Sequence, residues 1–167
     1  MGSNLYLKEY PHAGLTVRPT EWDDVGPVAR GMRYADRLEV DANGHTPVDA
    51  LLAGVAHSKP CLTVLHKGTP AAIFGTVPTK EMGLDVGVVW LLGTEDMQMF
   101  SRPFLRHSRD WLDRLSEGYD FLTNRVDARN EVHIRWLKWL GFTFIAEEQV
   151  GAYRLPFYTF VRLVPHV

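Results

Sequence analysis

Groups that can take a proton crowd one stretch of the chain, where Asp36, Glu39, Asp41 and His45 fall within ten residues. A carboxylate or imidazole placed beside a reacting amine can act as its general base. The same side chains have an ordinary structural reading. Asp36 and Glu39 can pair with Arg33 and Arg37 on one helix, and His45 follows the turn-forming Asn43-Gly44. His133, on a later helix, is open to the same two readings. Arg102, Arg106, Arg109 and Arg114 recur along a third helix and read first as a solvated face paired with Asp110 and Asp113. Cys61 is the single cysteine, so no internal disulfide can form; its run Leu62-Thr63-Val64-Leu65 makes it a small buried hydrophobe in a reducing compartment. That single cysteine excludes a Cys-His zinc cluster, and the seven histidines are scattered with no His-x-x-x-His pair.

The elements that must position these groups can be read in order. Leu15 to Arg18 predicts a short strand, and Thr20 caps a helix from Glu21 to Arg33, with Asp23 and Asp24 near its positive end. Pro27 argues for a late start or a break there. Thr46 caps a second helix, with Pro47 at its first position, running to about His57. Cys61 to His66 and Ala71 to Val77 form a hairpin around Lys67-Gly68. Val86 to Leu92 is the most apolar strand, expected to be central and buried on both faces. A helix from about Ser101 to Leu115 follows, then a strand from Tyr119 to Val126. Asn130 to Leu140 is amphipathic and closes at Gly141. Phe142 to Ala146 and Pro156 to Leu163 are the last strands; the second is aromatic enough to serve, at a sheet edge, as a contact surface for another copy. Trp111, Trp136 and Trp139, with Phe104 and Phe142, read as core.

This order, β-α-α-β-β-β-α-β-α-β-β, predicts one α+β domain over residues 1–167. Its sheet is mixed and twisted, of six to seven strands, with helices on both faces. At 46% hydrophobic the chain can build a sizeable core, which argues against general disorder. A net charge of -2 with interspersed signs gives no field that would draw nucleic acid or an anionic membrane. No run of about 18 apolar residues could span a bilayer, and Met1 to Tyr10 holds no stretch long enough for a signal peptide. The expectation is a soluble protein of the cytoplasm.

The segment from Asn130 through Trp136-Leu137-Lys138-Trp139-Leu140 to Gly141-Phe142 resembles the late helix of the GNAT acyltransferase superfamily, which an Asn opens and a Gly-Phe pair ends. Thr16-Val17-Arg18-Pro19-Thr20-Glu21-Trp22 resembles that family's first strand and helix. Asn124 with Val126-Asp127-Ala128-Arg129-Asn130, and Met32-Arg33-Tyr34-Ala35-Asp36, are similar to a divergent GNAT-like group encoded by tailed bacteriophages, some of them internal virion proteins.

The resemblance implies acetyl-CoA held in a splay between two central parallel strands. Trp90, Leu91 and Leu92 would pair with the pantetheine arm, and the following turn would hold the diphosphate on main-chain N–H groups. Asn130 would cap its helix and contact the ligand, and Asp36, Glu39 or His133 would accept the proton of the amine. Two departures stand out. The family's Gly-rich diphosphate turn is replaced by Thr94-Glu95-Asp96-Met97-Gln98-Met99-Phe100, where two carboxylates would repel phosphate; Ser101, Arg102 and Arg106 are the substitute donors. The family's Tyr general acid is replaced by Leu137, which has no proton to give. Two functions follow. One is acetyl transfer to an amine on a small molecule or a protein. The other is a virion component or host-directed factor that kept the scaffold and lost the cofactor.

Overall fold

The computed structural model describes residues 6–166. Eight strands form one sheet, in the order β1-β2-β3-β4-β5-β6-β8-β7. They are β1 (Lys8–Tyr10), β2 (Leu15–Pro19), β3 (Cys61–His66), β4 (Thr69–Glu81), β5 (Leu84–Gly93), β6 (Phe121–Asp127), β7 (Thr143–Val150) and β8 (Leu155–Leu163). The helices are α1 (Val25–Arg30), α2 (Tyr34–Ala42), α3 (Pro47–His57), α4 (Met97–Leu115) and α5 (Glu131–Trp139). Every strand pairing is antiparallel except β5 with β6. The eighth strand beyond expectation is β1, three residues long and too short to carry a periodic signal.

Strand alternation sorts the two layers. Ile73, Trp90 and Leu92 face α1 and α3 with Val28 and Leu51, while Phe74 and Leu91 face α4 with Phe100, Phe104 and Trp111. Val89, Leu122, Val126 and Phe160 pack under α5 against Leu137, Leu140 and Phe142. Helices therefore cover both faces of the sheet. Phe104, Trp111 and Phe142 are core as expected, whereas Trp139 is 44% exposed and lies under the Arg109 guanidinium, 4.0 Å from the ring centre.

Three local departures have physical causes. The single helix expected from Glu21 to Arg33 is instead a 3-10 turn at Trp22–Asp24 followed by α1, and the chain leaves helical form before α2. Glu21 and Asp24 close the entry reciprocally, in place of the Thr20 cap. The break after Arg30 arises because Met32 bridges Thr94 and the Arg33 N–H donates to Gly93 O at 2.8 Å. A long-range strand contact overrides local helix propensity here. Next, α4 begins at Met97 rather than Ser101 and is kinked at Phe100 (φ -124°, ψ 18°). Pro103, three residues on, has no N–H for residue 99 and its ring crowds that carbonyl. Finally, β8 is not an edge strand: it lies between β6 and β7, with Phe157 and Phe160 buried, and β7 forms the edge.

Elsewhere the chemistry is local. The Thr46 hydroxyl accepts from the Asp49 N–H at the start of α3, and Asn130 Oδ1 accepts from the His133 N–H at the start of α5. Gly141 leaves α5 at φ +91°, the left-handed exit that glycine adopts without strain.

Candidate functional site

The two parallel strands part. β5 and β6 are in register only at Val86–Phe121, Gly87–Leu122 and Val88–Thr123, after which neither has the other as a partner. At the fork, Asn124 Nδ2 donates to Val89 O at 2.7 Å, and Asn124 Oδ1 accepts from the Arg125 N–H. The side chain replaces the ladder bond that the divergence removes. Beyond the fork lies a cavity of about 440 Å³. Its depth is apolar, with Leu91, Phe104, Trp136, Leu137 and Phe160 among its walls. This gap explains why Trp90, Leu91 and Leu92 are half-buried rather than covered on both faces as the apolar run suggested. The exposed lining residues, including Asn43, His57 and Arg125, all lie on the α2–α3 side or on β6, so the mouth opens there. On the other face, Trp136 Nε1 donates to Ser108 Oγ at 3.3 Å and packs against Phe104, joining α5 to α4 as a roof.

Strand alternation turns the main chain of Val89, Leu91 and Gly93 toward the gap. Val89 O is taken by Asn124, and Gly93 is taken at both atoms: its N–H donates to Asp36 Oδ2 at 2.8 Å and its C=O accepts from Arg33. Leu91 is the remaining position.

The candidate proton acceptors separate. Asp36 is fully buried, grips Arg33 through bonds of 2.9 to 3.0 Å and holds the end of β5 through Gly93, and it is not part of the cavity wall. Burial pushes its carboxyl above the ordinary range, against the pull of Arg33 and of the Gly93 N–H. Its geometry is that of a latch. Glu39 does face the cavity. Its Oε1 accepts from the Asp127 N–H at 3.1 Å and from Asn130 Nδ2 at 3.3 Å. Burial pushes its carboxyl up to about 7, the two donors resist, and the charges of Asp36 and Asp127 add to the rise. His133 also lines the cavity, stacked beside Trp136 at 5.3 Å. Its Nδ1 is enclosed without a hydrogen-bond partner, and burial, aided by the Arg33 charge, lowers the ring to about 4, so it is neutral at pH 7. Asn130 joins the two, binding the His133 N–H and the Glu39 carboxyl, without reaching the cavity wall itself. Asp41 and His45 are exposed, and only His45 borders the mouth.

Of the phosphate candidates, Ser101, Arg102 and Arg106 are exposed on α4 and do not line the cavity. The turn from β5 into α4 is spoken for within the protein. The N–H groups of Thr94 and Glu95 donate to Ala71 O and Gly31 O at 2.8 and 3.2 Å. Those of Met97, Gln98 and Met99 donate to Thr94 O, Glu95 O and Asp96 O at 2.9 to 3.1 Å. The Glu95 carboxylate accepts from the Tyr34 N–H and from Gln98, and Met97 Sδ lies where a side chain on Gly93 would project. These residues do not fit the diphosphate of acetyl-CoA: five of the turn's N–H groups are engaged, and the groups beside the remaining Asp96 N–H are carboxylates and a thioether.

Sequence reasoning placed Glu39, His133 and the β5 residues at this site but missed Asn124, Trp136 and Arg125 as its fork, roof and rim. Asn124 had a signal. An Asn in the middle of a strand is disfavoured unless its side chain has a main-chain task.

Residues 60–149 match the family described as bacteriophage T7, probable scaffold protein Gp13. The chain belongs to that family. The probable scaffold protein gp13 of Escherichia phage T7 is 29% identical over 138 residues, covering 80% of this chain and 88% of that protein. Solved structures show the fold that this gp13-family chain shares. A GCN5-related N-acetyltransferase from Kribbella flavida superposes with a TM-score of 0.66 at 19% identity, over 93% of this chain and all of that one (100%). The yncA protein of Salmonella typhimurium, solved with acetyl-CoA, superposes at 0.64 with 16% identity, over 92% and 96% of the two chains. The gp13-family fold seen here is the GNAT fold, with a mixed eight-stranded sheet and a parted central pair. No helix among the described residues is long and apolar enough to cross a membrane.

Proposed function

We propose that this protein is a non-catalytic, GNAT-fold component of a phage, acting as a structural or interaction protein in assembly or on the host, and that it does not use acetyl-CoA. One observation carries the reading: in the β5–α4 turn the N–H groups of Gly93, Thr94, Glu95, Met97, Gln98 and Met99 are already bonded inside the protein. Binding a diphosphate there would mean breaking those bonds and bringing phosphate beside Glu95 and Asp96. Leu137, 4% exposed and set in the cavity wall, supports the same reading, because no proton donor stands at that place. The scaffold description of the T7 relative agrees with it.

A second reading, N-acetyl transfer to an amine, has one observation in its favour. Glu39, held near neutrality at the mouth of the gap, is suited to accept a proton. Calorimetry with acetyl-CoA separates the two. The non-catalytic reading expects no heat of binding at millimolar ligand. Submillimolar binding that weakens in Asn130→Ala, followed by thiol release with amines, would establish the transferase instead.

A further inference from the structure

We propose that the gap between β5 and β6 is a binding slot for an extended segment of a partner polypeptide, anchored by one bulky apolar side chain; the proposal rests on the non-catalytic reading above. Four features of the cavity converge on that ligand. Its depth is apolar and roofed, closed on the α4–α5 face by the Trp136–Ser108 bond, so a side chain entering from the α2–α3 side meets a floor rather than a channel. Its volume of about 440 Å³ lies in the range of sites that enclose a compact ligand. Leu91 presents a main-chain N–H and C=O where β6 has departed, the two groups that an added extended chain pairs with. Finally, His133 lines the cavity with its Nδ1 unpartnered and closed to water, and a turn of the ring would bring that nitrogen to a ligand. A buried nitrogen left in that state costs free energy that a ligand amide can recover.

The rim narrows the class. Among the described residues, the mouth offers no free fixed charge: Arg125 is already held by Glu148 at 3.4 Å and Asn43 at 3.3 Å, and Glu39, just inside, is raised to about 7. Neither an anionic nor a cationic head group gains from such a rim, whereas a neutral amide backbone loses nothing there. A hydrocarbon would fill the depth and leave Leu91 and His133 unmet. A peptide with an aromatic or large aliphatic side chain meets all three demands, with the side chain in the depth and the main chain along β5.

The test is an amide NMR titration of the full chain with two blocked tripeptides, Ac-Ala-Phe-Ala-NH2 and Ac-Ala-Ala-Ala-NH2, and, separately, with acetyl-CoA. The Phe peptide should shift the Leu91 amide and the Trp136 indole N–H in a saturable way, and the Ala peptide should bind about tenfold more weakly. Ala53→Trp, which covers the mouth from an exposed position on α3, should weaken the Phe peptide by about tenfold or more. His133→Phe, which keeps an aromatic ring and removes the nitrogen, should weaken it severalfold. Each variant is read only where its spectrum matches that of the folded parent, and either alone suffices. Equal response to the two peptides, no saturable shift at Leu91 and Trp136, or full binding by a folded variant would overturn the slot. Saturable shifts along Gly93 to Met99 with acetyl-CoA would overturn the non-catalytic reading, whatever the peptides do.

Discussion

At the scale of single residues, burial moves Glu39 and His133 in opposite directions, and stability should record both. Glu39 is raised from 4.5 to about 7 in the folded chain, so between those values the folded state holds a proton that the unfolded state has released. Stability from this group is complete below pH 4.5 and is lost as pH climbs through 7. His133 is lowered from 6.5 to about 4, so its contribution is complete above pH 6.5 and is lost as pH falls through 4. The slopes of these two groups oppose between pH 4.5 and 6.5, and Asp36, also raised, adds to the fall on the Glu39 side. Urea denaturation across that window is the check. Relative to the parent, Glu39→Gln should tilt stability toward falling in acid and His133→Phe toward falling at neutral pH, each by about 2 kcal/mol over the window. Changes of the same sign in both variants would refute the assignment. Both residues could be picked from the sequence by type and neighbourhood. Their separation from Asp36 could not, because Asp36 and Glu39 differ in what the end of β5 and the β6–α5 turn bring to them, from 57 and 88 residues away.

At the scale of elements, legibility followed how local the cause is. The bounds of α3 and β3 could be read because Thr46, Pro47 and the Lys67-Gly68 turn act on their immediate neighbours. The break between α1 and α2 was hidden because its cause, Gly93 and Thr94, lies some sixty residues away. The parting of β5 from β6 was hidden for another reason. An apolar run reads the same whether its second edge is paired or open, so the gap came from resemblance and not from pattern. How α3 seats on β5 gives a further test. A Cβ on Gly54 would come within 2.5 Å of Cζ2 of the Trp90 ring, whose Nε1 donates to Ser58 Oγ at 2.7 Å. The ring is rigid and tied by that bond. Gly54→Ala should therefore cost about 2 kcal/mol despite the better helix propensity of Ala, and shift the tryptophan emission. A stabilised Gly54→Ala protein would show that α3 does not sit on Trp90 as described.

Across the whole molecule, the fold leaves β5 and β6 parted and bonds the turn beside them internally. Asp36 is central to that closure. By gripping Gly93 from α2 it fixes the end of β5, and the Gly31-to-Arg33 segment then pairs with the turn. Helix α2, the strand end and the start of α4 form one bonded unit. The Gly-rich turn that the GNAT resemblance implies is absent from the sequence, and the structure adds what the sequence did not reveal: the N–H groups of Thr94, Glu95, Met97, Gln98 and Met99 have internal partners. Hydrogen exchange at the amides of Gly93, Thr94, Glu95, Met97, Gln98 and Met99, with and without millimolar acetyl-CoA, tests this most directly. The bonds described here predict amides protected in the protein alone and unchanged by the ligand; amides that exchange freely and become protected when acetyl-CoA is added would contradict it.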